Sequence, residues 1–276
     1  MIKVLFCCHG NICRSPIAEY VFKKKVCENG LEEVFEIDSA ATSTEEIGNP
    51  VYPPARRVLS SHGITDVNHR ARQITKSDYR HFDYILVMDE WNMRNILRMT
   101  DGDPDKKITM LLDTEIEDPW YTGNFEKVYN QIEKGCTALL DNIFSFYGAK
   151  GIKTDRKILL VYARLFSLWC RETCAPRMQD RWCIYNRTLG QCSVTSFLVQ
   201  DCLGGEVYGS VLPSGDLHCF NRIDSVFYDF TSDQIEKSGE ICNYSKAELQ
   251  DRNKHFAKEE KYERYRLLKK LYTEEK

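Results

Sequence analysis

At 276 residues the chain is long enough for two cores, since a compact domain usually runs to about 100–150 residues. Its 38 Lys and Arg nearly balance 41 Asp and Glu, and the formal net charge of −3 excludes a general electrostatic pull toward nucleic acid or an anionic membrane. No stretch approaches the ~20 apolar residues of a membrane span, and the apolar start of the chain stops at His9-Gly10 without a cleavage-site pattern. A soluble, cytoplasmic protein is expected, with neither nucleic acid nor membrane as partner.

The 12 cysteines are scattered over a long chain and read as reduced thiols rather than a disulfide framework. There is no C-x2-C pair; the nearest approach is Cys170 with Cys174, so neither a structural metal nor a cofactor is expected.

Residues 2–8 form an apolar run of strand length ending at a Gly-containing turn, and Ser15-Pro16 then opens a helical pattern carried by Ile17, Tyr20 and Val21. Pro16 suits the first helical position. The alternation continues with a strand near 34–39, a helix near 54–62, strands at 84–88 and 108–111, and a helix over 125–147. Alternating strands and helices predict an α/β domain: a four-stranded parallel sheet with helices on both faces. The small and charged residues of 148–155 break the periodicity and mark a boundary. The expected units are a domain over 1–148, a smaller α+β domain over 156–244, and a charged terminal helix over 245–276.

In the second part, Ile158, Tyr162, Leu165 and Trp169 recur at helical spacing. Residues 191–203 read as a second helix closed by Gly204-Gly205, followed by β-like runs at 206–211, 216–223 and 225–230. The last segment is dense in charge, with Leu249, Phe256, Tyr265, Leu268 and Tyr272 at spacings compatible with a stripe. It reads as a mostly solvated helix, with docking as the alternative.

Cys8 to Ser15 fits C-x5-R, a spacing that curls a loop around one tetrahedral oxyanion between a strand end and a helix start. Gly10 eases the turn. The planar fork of Arg14 can hold two phosphate oxygens at once, and Cys8, on a floor of backbone N–H dipoles, is expected to act as a thiolate nucleophile. Trp120 and Tyr121 follow Asp118-Pro119 and offer two aromatic faces for a slot deep enough for a phosphorylated phenol.

The run Val4-Leu-Phe-Cys-Cys-His-Gly-Asn-Ile-Cys-Arg-Ser-Pro16 resembles the signature of the low-molecular-weight protein tyrosine phosphatases. Asp38-Ser-Ala-Ala-Thr-Ser43, Ile47-Gly-Asn-Pro50, Ala71-Arg-Gln-Ile74, Phe82-Asp-Tyr-Ile-Leu86, Met88-Asp89 and Asp118-Pro119 follow in family order. The resemblance covers roughly 1–147. It implies that Cys8 attacks phosphorus, Arg14 binds the phosphoryl oxygens, and Asp118 first protonates the leaving phenolate and then activates water against a phosphocysteine. His9, Gly10, Asn11, Ile12 and Cys13 would complete the phosphate loop.

It also implies that Ser15 donates a hydrogen bond to the sulfur, that Asn11, Ser39 and His69 hold the loop in shape, and that Cys13 captures oxidised Cys8 as a reversible disulfide. The expected partner is a phosphotyrosine-containing protein or peptide. Glu45 stands where some relatives carry an aromatic on the opposite wall of the slot. Arginine phosphatases on this fold carry threonine where Ile12 stands, so Ile12 argues for tyrosine. Arsenate reductases need a distal cysteine pair, and none lies between Cys27 and Cys136. A phosphotyrosine-binding protein without turnover is the rival from another class, disfavoured by Cys8, Arg14 and Asp118 together.

Residues 165–235 resemble the bacterial YunG-like family through Trp169-x-Arg-Glu-Thr173, Gly190-Gln-Cys-x-Val-Thr-Ser196, Val199-Gln-Asp201, Gly204-Gly-Glu206, His218-x-x-Asn221 and Tyr228-Asp-Phe-Thr231. That resemblance implies no particular chemistry. Cys192 opens an apolar helix, His218 lies on a predicted strand and Asp229 follows on the next, which is the chain order of papain-like nucleophile sites. Asn221 is an alternative to Asp229 as the residue orienting the histidine. A binding module with a buried thiol is the other reading of this half.

Overall fold

The computed structural model describes residues 1–274, which divide into a first compact unit, Met1–Asn142, and a second from Ile143 onward. In the first unit the strands are β1 (Ile2–Cys8), β2 (Phe35–Ala41), β3 (Tyr84–Val87) and β4 (Ile108–Met110). They form a parallel sheet in the order β2-β1-β3-β4, with Val4 beside Ile37 and Tyr84. Central parallel strands are covered on both faces, which is why β1 is apolar almost throughout. Alternate residues serve opposite faces: Leu5 and Cys7 pack with Ile85, Val87 and Ile96, while Phe6 meets Phe22 edge-on at 5.6 Å.

The helices are α1 (Arg14–Glu28), α2 (Pro53–Ser61), α3 (Lys76–His81), α4 (Glu90–Met99), α5 (Pro119–Thr122) and α6 (Phe125–Ile143). Helix α1 starts at Arg14, so Pro16 is its third residue rather than its first; an N–H there has no intrahelical partner in any case. The loops after β1, β3 and β4 leave the sheet at its carboxyl edge, where open α/β sheets place their ligands.

Helix α6 ends at Ile143, short of the 147 that periodicity suggests. The next residues belong to the second unit because their partners are there: Phe146 stacks on Tyr162 at 4.5 Å and on Phe230 at 4.9 Å, and the Asp229 N–H donates to the Tyr147 carbonyl at 3.0 Å. The division therefore falls at 142/143, ahead of the polar stretch at 148–155.

The second unit contains α7 (Arg156–Leu168), α8 (Cys192–Leu203), β5 (Glu206–Val211), β6 (Leu217–Ile223), β7 (Val226–Tyr228), α9 (Asp233–Ser238), β8 (Glu248–Leu249), α10 (Arg252–Phe256) and α11 (Glu259–Glu274). Its antiparallel sheet runs β7-β6-β5-β8, giving a helix-and-strand domain. Gly205 is required between α8 and β5: its φ is +77°, and a Cβ there would lie 2.3 Å from the Arg222 carbonyl oxygen.

The terminal helix α11 is exposed over most of its residues but docks along one face. Tyr265 and Leu268 of α11 are buried with Leu165, Val194 and Phe197 of α7 and α8, and Phe256 packs on the same core. No helix among the described residues is long and apolar enough to cross a membrane.

Candidate active site

The loop from Cys8 to Arg14 is held by Asn11. Its φ of +56° is a left-handed conformation that asparagine tolerates better than most side chains, and every polar group of the residue is engaged. The N–H donates to Cys8 Sγ at 3.3 Å, and the carbonyl accepts from His69 Nε2 at 2.8 Å. Oδ1 accepts from the Arg72 N–H at 3.1 Å, while Nδ2 donates to Ser15 Oγ at 3.0 Å and Ser39 Oγ at 2.8 Å. A carbonyl can only accept, so His69 Nε2 carries a proton.

Behind this network sits Glu19, a residue without a role in the sequence reading. Its carboxylate accepts from Ser39 Oγ at 2.6 Å and Lys23 Nζ at 2.5 Å, and lies 3.6 Å from His69 Nδ1. Burial alone would raise its pKa, but hydrogen bonds from His69, Lys23 and Ser39 outweigh this and hold the carboxyl below the ordinary glutamate range.

Cys8 ends β1 with its sulfur 3.0 Å from Ser15 Oγ, at the amino end of α1. Arg14 is 3 % exposed: Nη1 donates to Asp89 Oδ2 at 2.5 Å and to the Ile116 carbonyl at 3.0 Å, and Nη2 donates to Asp118 Oδ2 at 2.7 Å. Burial works against the guanidinium, yet the charges of Cys8, Asp118 and Asp89 raise its pKa overall. Both carboxylates are also helix caps. Asp89 Oδ1 accepts from the Asn92 N–H at 2.7 Å at the start of α4, and Asp118 Oδ1 from the Trp120 N–H at 3.0 Å at the start of α5.

Cys8, Cys13, Arg14 and Asp118 line one cavity of about 140 Å³ together with His9, Gly10, Ile12, Glu45, Glu46, Trp120 and Tyr121. Trp120 rests on Tyr52 at 4.9 Å, a contact the sequence reading lacked, whereas Tyr121 is 85 % exposed at the rim. Across the mouth, His9 Nε2 lies 3.0 Å from Glu45 Oε2. Burial, with the charges of Cys8 and Asp118, pushes the Cys13 thiol up. Among the described residues no cluster of His, Cys, Asp or Glu is arranged to hold a metal.

The three residues singled out in the second half also meet. His218 Nε2 lies 2.6 Å from Asp229 Oδ2, with both side chains essentially fully buried. Cys192 is half-buried and opens α8; its sulfur lies 4.0 Å from the Leu217 carbonyl oxygen, beside His218, with which it lines one cavity. Asn221 is not the orienting residue, because its Nδ2 donates to the Ser196 carbonyl of α8 at 2.8 Å.

A parallel four-stranded sheet carrying a C-x5-R loop at its carboxyl edge defines a phosphatase fold, and the comparisons assign it. Residues 3–149 match the family described as low molecular weight phosphotyrosine protein phosphatase, and residues 157–276 match the YunG protein family. The chain belongs to the low molecular weight phosphotyrosine protein phosphatase family, whose members are hydrolases.

It is 50% identical over 150 residues to the chicken (Gallus gallus) low molecular weight phosphotyrosine protein phosphatase, covering 50% of this chain and 94% of that protein. It is 40% identical to the Bacillus subtilis low molecular weight protein-tyrosine-phosphatase YfkJ over 150 residues, or 52% of this chain and 96% of that one. The crystal structure of YfkJ superposes with a TM-score of 0.50, covering 52% of this chain and 94% of that chain. The Streptococcus pyogenes enzyme SP-PTP, 40% identical, also gives 0.50, covering 52% and 95%.

Proposed function

We propose that the first unit hydrolyses phosphotyrosine through a phosphocysteine on Cys8. The observation that carries this reading is the convergence of a nucleophile, a phosphate-gripping cation and a carboxyl on one cavity: Cys8, Arg14 and Asp118. The thiolate of Cys8 attacks phosphorus, which passes through five-coordination with its equatorial oxygens on Arg14 and the loop N–H groups. An incoming phosphate monoester monoanion competes with Asp118 for Nη2; the released carboxylate takes up the proton that the monoanion brings and passes it to the leaving oxygen as the P–O bond breaks. Water then attacks phosphorus, losing its proton to Asp118, and the P–S bond breaks to return the thiolate and inorganic phosphate. The Ser15 hydroxyl, 3.0 Å from the sulfur, stabilises the departing thiolate.

Two features favour a phenolic substrate. Trp120, backed by Tyr52, gives an aromatic wall to the cavity, and Ile12 supplies an apolar side chain where arginine phosphatases carry threonine. The soluble ligand is a phosphotyrosine side chain on a protein or peptide. The reading is tested with Cys8→Ser, which removes the nucleophile and keeps Arg14 and the loop dipoles. Hydrolysis of p-nitrophenyl phosphate should fall by at least about 10³-fold while vanadate or phosphate still binds. Turnover near the wild-type rate would overturn the mechanism, and retained turnover with altered anion affinity would assign Cys8 to binding alone.

A further inference from the structure

We propose that the second unit holds a catalytic centre of its own, in which Cys192, His218 and Asp229 cleave amides, esters or thioesters through a thioester on Cys192. Three separate elements bring the triad together: the first residue of α8, the second residue of β6 and the turn after β7. The antiparallel pairing of β6 with β7 sets Asn221 opposite Tyr228, so Asp229 follows directly beyond the paired residues.

The carboxylate of Asp229 is built to stay in place. Oδ2 accepts from His218 Nε2 at 2.6 Å and Tyr244 Oη at 2.9 Å, and Oδ1 accepts from the Thr231 N–H and Oγ1 at 3.0 Å each. Four donors satisfy a carboxylate that has no exposure to water. With Nε2 taken by Asp229, the ring nitrogen left for the Cys192 sulfur is Nδ1. The imidazole is thus fixed between acid and thiol in the order that nucleophilic catalysis requires.

The sulfur is placed for reaction rather than sealed. Gly190, two residues before it, has φ +67°, and a Cβ there would lie 2.9 Å from both Cys174 Sγ and the Ala175 nitrogen. Glycine therefore lets the chain turn tightly into α8, and the Gly190 carbonyl is held by the Ala175 N–H at 3.0 Å. Cys192 emerges half-buried into a cavity of about 380 Å³ that His218 also lines, within the range of small-molecule and peptide-side-chain sites. No side chain caps α8, so no side-chain acceptor occupies its first-turn N–H groups, which are the kind of donors that stabilise an oxyanion at a helix start. Burial opposes ionisation of the thiol, but the hydrogen bond and charge of His218 outweigh it and the Cys192 pKa falls, while Asp229 holds the His218 pKa high. A structural cysteine has no use for a charged imidazole or an open cavity.

The reaction balances on these groups. The Cys192 thiolate attacks the carbonyl carbon, and the bond to the leaving group breaks as that group takes the proton from the His218 imidazolium. The acyl group is left as a thioester. Water then gives its proton to neutral His218 and attacks the thioester carbonyl, and the C–S bond breaks to release a carboxylic acid and restore the thiolate–imidazolium pair.

The full chain is treated with iodoacetamide at about pH 6, where an ordinary thiol with a pKa near 8.5 is almost wholly protonated, and alkylation is read by peptide mapping. Cys192 should react at least about 10-fold faster than the exposed Cys183, at a rate nearly flat with rising pH. His218→Asn should return it to the steep pH dependence of an ordinary thiol. A second arm uses p-nitrophenyl acetate with acid quenching: an acetyl thioester should be found on Cys192, and His218→Asn should abolish it. Alkylation of Cys192 no faster than Cys183 overturns the proposal. So does fast alkylation without the acetyl adduct, which would leave a reactive thiol but no acyl transfer. Both readouts on the wild-type chain stand whether or not the variant folds, and neither depends on chemistry at Cys8.

Discussion

Arg14 and Asp118 are bonded to each other, Nη2 donating to Oδ2 at 2.7 Å, although 104 residues separate them in the chain. The same guanidinium holds Asp89 through Nη1, and each carboxylate spends its other oxygen on the first turn of a helix. Arg14 is thereby oriented by two helix caps. A ligand that competes with Asp118 for Nη2 acts on the cap of α5, the helix that carries Trp120 and Tyr121. On the mechanism proposed above, phosphate capture and placement of the acid would be coupled.

From that coupling, Asp118→Asn removes the transferable proton while keeping the cap, since an amide oxygen can still accept from the Trp120 N–H. The kcat for a phosphotyrosine peptide should fall by about 10²–10⁴-fold. An aryl phosphate whose leaving phenol is strongly acidic needs little protonation and should lose far less. Rates measured on a series of aryl phosphates check this: equal losses across the series would remove Asp118 as the proton donor.

The buried Glu19 gives a prediction for stability. Its folded-state pKa is depressed, so its contribution is fully present above the ordinary glutamate value of 4.5 and is lost as pH falls through the lower folded value. Glu19→Gln leaves the Lys23 ammonium and the Ser39 hydroxyl with a weaker acceptor and should cost about 1–3 kcal/mol at neutral pH. Below about pH 4.5 the difference between variant and wild type should narrow. Urea titrations at neutral and acid pH measure it, and a difference independent of pH would deny Glu19 its ionised role.

Much of the first unit was legible because its chemistry is local. The strand, the C-x5-R loop and the helix start occupy consecutive residues, so Cys8, Arg14 and Ser15 could be placed by spacing alone. Glu19, Asp89 and Tyr52 could not. Glu19 sits in the middle of a helix and becomes functional only because β2 brings Ser39 and the following loop brings His69. Asp89 was visible as part of a matching dipeptide, but its contact with Arg14 spans 75 residues and depends on β3 lying beside β1. In the second unit the order Cys192, His218, Asp229 was readable, whereas the choice of Asp229 over Asn221 rested on which side chain faces the imidazole. Strand β8 and helix α10 are too short for any periodicity to announce.

The docked face of the terminal helix was hard to read for a related reason. Charged residues outnumber apolar ones along α11, and of the apolar ones only Tyr265 and Leu268 are buried, so its stripe is narrow. Those two residues nevertheless close the core against α7 and α8. Leu268→Ala should destabilise the second unit by about 2–5 kcal/mol, the usual cost of emptying a filled leucine site. The lost stability should be seen as earlier protease cleavage of residues beyond 143 while phosphatase activity persists. A cost below about 0.5 kcal/mol, typical of exposed positions, would return α11 to solvent.

The last prediction concerns oxidation of the phosphate loop. Cys13 lies in the same loop as Cys8, five residues on, and both line the cavity. Burial, reinforced by the charges of Cys8 and Asp118, pushes the Cys13 thiol up, so Cys13 stays protonated at neutral pH and is not the first target of peroxide. The resemblance implies that hydrogen peroxide would instead convert the Cys8 thiolate to a sulfenic acid. The Cys13 sulfur would then attack that sulfur, forming the disulfide and releasing water, and a reducing thiol would restore both residues. Wild-type enzyme inactivated by peroxide should therefore recover most of its activity in dithiothreitol, and a peptide carrying the 8–13 disulfide should be found before reduction. Cys13→Ser keeps the loop but removes the trap. Its Cys8 should pass on to sulfinic acid, and dithiothreitol should rescue little activity. Equal recovery by both proteins would leave Cys13 as a packing residue beside Ile12 and Ala71.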